Sequence, residues 1–231
     1  MVNIQIPVPS NDLYPILKCV VKGDKKQYPV IKEEKTGAEF FITRTFYGTY
    51  IGFFGSSETL DWKTNLCYFQ RTVPKNQWDY PGICIHSGYY KSYIKLRPKL
   101  YTKLITYLPC TEPVIVIGYS MGGGLASLCA FDITVSYSLF CIDVHCITLG
   151  SPRILNKKGS MLFSSRVNIK RVKYGNDLIT KLPPPIGFYH VGEKYHIGTT
   201  EHFYKACKQD HYQYKQEDVL HKIASDLCVS V

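Results

Sequence analysis

The spacing of apolar residues changes along the chain, and each spacing predicts an element. Residues 12–22 carry the pattern of a short helix. Glu39 to Thr45 and Gly48 to Phe54, turning around Tyr47-Gly48, read as the two strands of a hairpin. Ile83 to His86 is a short strand. Ser87 to Leu108 then repeats apolar residues at helical spacing (Tyr93, Leu96, Leu100, Leu104, Leu108), with Pro98 kinking or starting part of it. Val114-Ile115-Val116-Ile117 is a continuous apolar run, the mark of a strand buried on both faces. A helix is expected over Gly122 to Tyr137, buried strands over Phe140 to Leu149 and Val167 to Tyr174, a hairpin over Tyr189 to Gly198, and a closing helix over Asp218 to Cys228. Strands alternating with helices through the middle predict an α/β class with a mostly parallel central sheet flanked by helices. No repeat or linker divides the 231 residues, so one domain over 1–231 is expected, with the part before Glu39 the least defined.

Composition narrows this picture without changing it. With 45% hydrophobic and 20% charged residues the chain is ordinary globular material. No stretch reaches the roughly 18 apolar residues a membrane-spanning helix needs. Met1 to Ser10 lacks the basic start, apolar run and cleavage site of a signal peptide. Nine cysteines, an odd number with no Cys-x-x-Cys pair, fit free thiols in a reducing compartment, and a cytoplasmic location is expected. The net charge of +10 is spread along the chain, densest over Lys91 to Lys103. No nucleic-acid motif accompanies it, so it reads as a solvated basic surface, with weak attraction to an anionic membrane as the second reading.

The chemistry starts at Gly118-Tyr119-Ser120-Met121-Gly122, a G-x-S-x-G pattern directly after the buried strand and at the start of a helix. Such a turn projects the serine hydroxyl, and only small residues two before and two after let strand and helix pass that closely. It also aims the backbone N–H of Met121, near a helix N-terminus, at the carbonyl oxygen of a bound ester. A serine hydroxyl needs a histidine base oriented by a carboxylate, and in this strand–turn–helix context the order is serine, acid, histidine. Asp177 follows the strand 167–174 and would project at its C-terminal end, where open α/β sheets build their sites. Asp132 and Asp143 fall inside a helix and a strand. For the base, His145 lies in a buried strand, His196 in the hairpin-like segment and His221 on a helix face. His211, in the polar stretch Lys208 to Tyr212, is favoured, with His190 and His202 as alternatives. The histidines match no metal-ligand spacing, and neither metal nor cofactor is expected.

Taken in order, these segments resemble the class 3, fungal-type lipases of the α/β-hydrolase superfamily, from about Thr49 to Tyr214. Gly118 to Gly123 is similar to the family's G-H-S-L-G-G, and Phe53-Phe54-Gly55-Ser56-Ser57 to its F-R-G-S/T strand. Ile85 to Tyr89 resembles V-H-x-G-F, Gly150-Ser151-Pro152-Arg153 matches G-S-P-R, and Asp177 to Pro183 fits D-x-V-x-x-L-P. Tyr189 to Glu193 resembles H-v-G-x-E, and Asp210 to Tyr214 resembles D-H-x-x-Y. The resemblance implies an α/β-hydrolase fold and selects His211 as the base, leaving His190 structural. It also implies Ser56 as a second oxyanion donor. The segment 57–73 sits where the family carries a lid. Trp62, Leu66 and Phe69 recur at i, i+4 and i+7 and would make one apolar helical face, with Glu58, Asp61 and Lys63 off it. Tyr119, Phe54 and Thr180 depart from the family's commoner histidine, basic residue and proline.

The function implied is a carboxylic-ester hydrolase acting on lipid esters, acylglycerol or phospholipid, through an acyl-enzyme on Ser120. A lipase-like interaction protein with an idle site, and a thioesterase or acyltransferase on the same scaffold, are the alternatives.

Overall fold

A computed structural model describes residues 5–55, 69–74, 77–108, 111–199 and 207–229. In chain order the elements are α1 (Ser10–Lys22), β1 (Ile31–Lys32), β2 (Glu39–Arg44), β3 (Thr49–Phe53), β4 (Gln70–Thr72), β5 (Cys84–His86) and α2 (Ser87–Leu104). They continue with β6 (Val114–Tyr119), α3 (Met121–Ser136), β7 (Val144–Leu149), α4 (Lys157–Arg166), β8 (Asn168–Tyr174), β9 (Glu193–Ile197) and α5 (Glu217–Leu227). Short 3-10 turns occupy Ser138–Phe140 and Ile179–Lys181, and a longer one Gln209–Lys215.

The main sheet runs β1-β2-β3-β6-β7-β8-β9. The first three strands pair antiparallel, and every pairing from β3 onward is parallel. All residues of β6 and β7 are buried, which is why these strands read as unbroken apolar runs. Alternate residues feed two cores. Val114, Val116, Cys146 and Ile169 face α2, α3 and α4, including Leu96, Leu100, Leu128 and Phe163. Ile115, Ile117, Ile147 and Val172 face α1 and α5, including Leu13, Leu17, Leu220 and Ile223.

The region before Glu39 therefore has a definite task. α1 and α5 together cover the back of the sheet, and Ile6 ties the two ends of the chain by donating its N–H to the Leu227 carbonyl at 2.8 Å. His221 stacks on Tyr14 with ring centroids 3.8 Å apart, joining the two helices.

Three expectations change. The segment 189–198 is not a hairpin: β9 is a single strand lying parallel to β8 at the sheet edge. An alternating pattern announces a half-buried strand but not its partner. The strand expected from Phe140 starts at Val144, because Ser138–Phe140 is a 3-10 turn and Cys141 takes a left-handed φ of 50°. Within the span 57–73, Gln70–Thr72 is a strand paired antiparallel with β5, so Phe69 stands at a strand's entry rather than on a helical face. Trp62 and Leu66 lie outside the described residues. α4 gave no periodic signal, since only Gly159 and Phe163 of it are buried.

Candidate active site

β6 enters the sheet centre and turns into α3 at Ser120, whose φ of 56° and ψ of −123° are left-handed for a residue with a side chain. Such strain persists only when surroundings over-determine it. Here they do. A Cβ on Gly118 would stand 2.2 Å from the Gly122 oxygen, and one on Gly122 would stand 2.4 Å from the Phe53 oxygen. The two flanking glycines are thus demanded by contact with each other and with the end of β3. Ser120 donates its N–H to the Leu149 carbonyl at 2.8 Å, pinning the turn to β7.

Two distant segments then meet the serine. His211 Nε2 lies 2.9 Å from Ser120 Oγ, and His211 Nδ1 lies 2.9 Å from Asp177 Oδ2. All three side chains are buried, Asp177 completely. Asp177 follows β8 and accepts the Ile179 N–H on its other oxygen at 2.8 Å. Tyr214 donates to Asp177 Oδ2 at 3.1 Å while accepting the Tyr174 N–H at 2.8 Å. The 3-10 turn Gln209–Lys215 presents His211, and Asp210 anchors that turn by accepting the Asn176 N–H at 2.7 Å. Gly150, at φ 60°, leaves room for the imidazole: a Cβ there would be 2.8 Å from His211 Cε1 and 2.9 Å from Asp177 Oδ2.

Tyr119 adds a contact that sequence reasoning missed. Its ring stacks on the imidazole at 5.0 Å and 16°, and its hydroxyl donates to the His211 carbonyl at 2.6 Å. Burial first, then the Asp177 charge, pushes this phenol up, and the same two causes push Tyr214 well up, so both remain donors. A tyrosine in place of the expected histidine was the available signal, but its partner lies 92 residues away.

The other candidates go elsewhere. His190 donates through Nε2 to the Thr180 carbonyl at 2.7 Å, and burial, then Arg171 and Arg153, lower its pKa to about 3. His196 bonds the Gly175 carbonyl, and His145 sits between Asp143 and Asn168. Asp132 accepts from Trp78, Tyr93, Arg97 and Ser136. His202 and Ser56 lie outside the described residues. Gly55, immediately before Ser56, is described, and a Cβ on it would be 3.4 Å from Ser120 Cβ, so the chain leaving β3 passes beside the serine. Met121 is the first residue of α3. Among the described residues, no group of three or more His, Cys, Asp or Glu could hold a metal ion, and no helix is long and apolar enough to cross a membrane.

Residues 50–186, from β3 through the turn after Asp177, match the class 3 lipase family. The chain belongs to that family. A lipase of Rhizomucor miehei is 29% identical over 153 residues, which are 64% of this chain and 41% of that protein. The chain thus spans about two fifths of this relative's length. Among solved structures, a Rhizomucor miehei lipase–propeptide complex superposes with a TM-score of 0.70 at 23% identity, covering 81% of this chain and 68% of the other. A triacylglycerol lipase of Penicillium expansum gives 0.70 at 15% identity, covering 84% and 82%. At such identities the likeness establishes the architecture, which is the α/β-hydrolase fold with its mostly parallel sheet between helical layers.

Proposed function

We propose that this class 3 lipase family member is a serine carboxylic-ester hydrolase whose substrates are lipid esters, acylglycerol or phospholipid. One observation carries the reading: the unbroken run from Ser120 Oγ through both nitrogens of His211 to a fully buried Asp177, with each link at 2.9 Å. Ser120 Oγ attacks the ester carbonyl while His211 Nε2 takes its proton. Asp177 keeps the Nδ1–H tautomer and stabilises the imidazolium. The Met121 N–H and Ser56 receive the oxyanion. His211 then gives the proton to the departing alcohol, and a water deprotonated by the same nitrogen releases the acid from the acyl-enzyme.

The family and the apolar residues Trp62, Leu66 and Phe69 support a lipid rather than a small soluble ester. The part of the span 57–73 that precedes β4 would cover the site in water and expose its apolar residues at a lipid surface, where the basic net charge favours an anionic interface. Cys19, Cys84, Cys129, Cys141, Cys146, Cys207 and Cys228 are free thiols, which suits the cytoplasmic location proposed.

A fluorophosphonate probe tests the chemistry. The native protein should be labelled and Ser120→Ala should not; equal labelling of both would sink the proposal. Hydrolysis of a short soluble ester compared with micellar triglyceride and phospholipid tests the substrate class. A rate indifferent to the micelle threshold would remove the covering role of 57–73.

A further inference from the structure

Positive charge gathers on the α2–α4 face of the sheet, beside the segment that carries Asp177. In β8, Ile169 belongs to the core on that face and Val172 to the opposite core, so Arg171 and Lys173 project on the Ile169 side. Arg171 stands in register with Lys194 of β9, a like-charge pair on neighbouring strands, which is a destabilising choice unless something sits between them. Arg153 reaches the same region and donates to the Pro183 carbonyl at 2.9 Å and to that of Lys181. Arg171 is 9% exposed, and its Nε, shut off from solvent, has no hydrogen-bond partner among the described residues. A buried guanidinium N–H without a partner is unfavourable by itself.

Among the described residues no carboxylate acts on Arg171. Glu193 projects to the other side and pairs with Lys170 at 2.5 Å. Asp177 is near Lys173 but is already engaged by His211, Ile179 and Tyr214. The electrostatics agree with the geometry. Arg171 (to about 10), Lys173, Arg153 and His190 are all pushed below their ordinary values. Burial is the first cause in each case. For Arg171 the next is Arg153, for Lys173 it is Lys194 and Lys181, and for His190 it is Arg171 and Arg153.

We propose that Arg171, flanked by Lys173, Lys194 and Arg153, forms a binding site for a phosphate-type oxyanion, either free phosphate or the phosphate of a lipid headgroup. A tetrahedral dianion offers several acceptor oxygens, which suits an arginine fork surrounded by further cations better than a single carboxylate does. The proposal does not depend on ester hydrolysis.

The full chain, titrated with inorganic phosphate against sodium chloride at matched ionic strength, should bind saturably by calorimetry and unfold at a higher temperature. Flotation with phosphatidylcholine vesicles containing phosphatidate separates the two sources. Binding of phosphate alone identifies the free ion, and binding confined to the vesicles identifies the headgroup. In either case Arg171→Gln should weaken it at least about tenfold. Lys194→Glu places an internal anion opposite Arg171. It should unfold at a higher temperature than the native chain without phosphate, and should lose the response to both probes. That variant decides the matter if Arg171→Gln does not fold. No saturable response to either probe, or native affinity in Lys194→Glu, overturns the proposal.

Discussion

Asp132 and Asp177 are both carboxylates with no solvent exposure, both lie downstream of Ser120, and they do opposite things. Asp132 is saturated by donors: Trp78 Nε1 at 2.7 Å, Tyr93 hydroxyl at 2.7 Å, Arg97 through two nitrogens at 2.6 and 3.2 Å, and Ser136 at 3.2 Å. A guanidinium neutralises it, and the network ties α2 to α3 and to the segment of Trp78. Among the described residues no lysine or arginine is bonded to Asp177. One oxygen is fixed by a backbone N–H, and the other faces a phenol and an imidazole. The proton it attracts is therefore the one on His211, whose far nitrogen meets Ser120. Burial and charge are shared; what differs is whether the partner can pass a proton onward. One carboxylate builds the molecule and the other builds the proposed reaction.

The largest effect that can break this contrast is at the serine. Ser120→Ala should lower kcat for a lipid ester on the order of 10⁶-fold, leaving thermal unfolding near native. Asp177→Asn should lower it on the order of 10⁴-fold, because the amide favours the wrong imidazole tautomer. Asp132→Asn should do the reverse. It strands Arg97 and disturbs Trp78 and Tyr93, and should destabilise by about 3–5 kcal/mol in urea unfolding, with kcat of the folded fraction unchanged. If Asp132→Asn reduced kcat as strongly as Asp177→Asn, the division of labour between the two acids would be wrong.

The contrast was half visible in the sequence. The apolar run 114–117 and the glycines around Ser120 announce a nucleophile turn, because a strand buried on both faces and a close backbone crossing both leave local marks. The position of Asp177 after a strand is also local. Asp132 could be set aside as a helix residue, but its role could not be read, since all its donors but Ser136 come from residues 78, 93 and 97. The parallel pairing of β9 and the meeting of α1 with α5 likewise depend on partners far along the chain. Cys141 and Phe140 misled for another reason: they are apolar but exposed in a turn.

Histidines permit a second, smaller test. His190 and His211 both follow Asp177, yet His190 is kept neutral by burial and by Arg171 and Arg153, with a pKa of about 3 in place of about 6.5. Between those values the unfolded chain binds the proton and the folded chain does not, so stability rises with pH there and is lost on acidification. His190→Asn, able to keep a donor toward Thr180, should flatten that acid limb by about 2–4 kcal/mol in unfolding measured from pH 7 to pH 4. Ester hydrolysis at neutral pH should stay near native. A collapse of kcat there would return His190 to the list of bases.

The smallest expected effect concerns how firmly the proposed base is held. Tyr119 both stacks on the imidazole and bonds the His211 carbonyl, so it limits rotation of the side chain and movement of the 3-10 turn that carries it. Removing the hydroxyl in Tyr119→Phe preserves the stack and deletes one hydrogen bond, worth about 1 kcal/mol. If that energy goes into alignment, kcat should fall by about three- to tenfold with KM unchanged, and fluorophosphonate labelling should slow in proportion. If it goes only into packing, unfolding temperature should drop while kcat and labelling rate do not change. The ratio of the two losses measures how far the residue beside the serine has become part of the histidine's support.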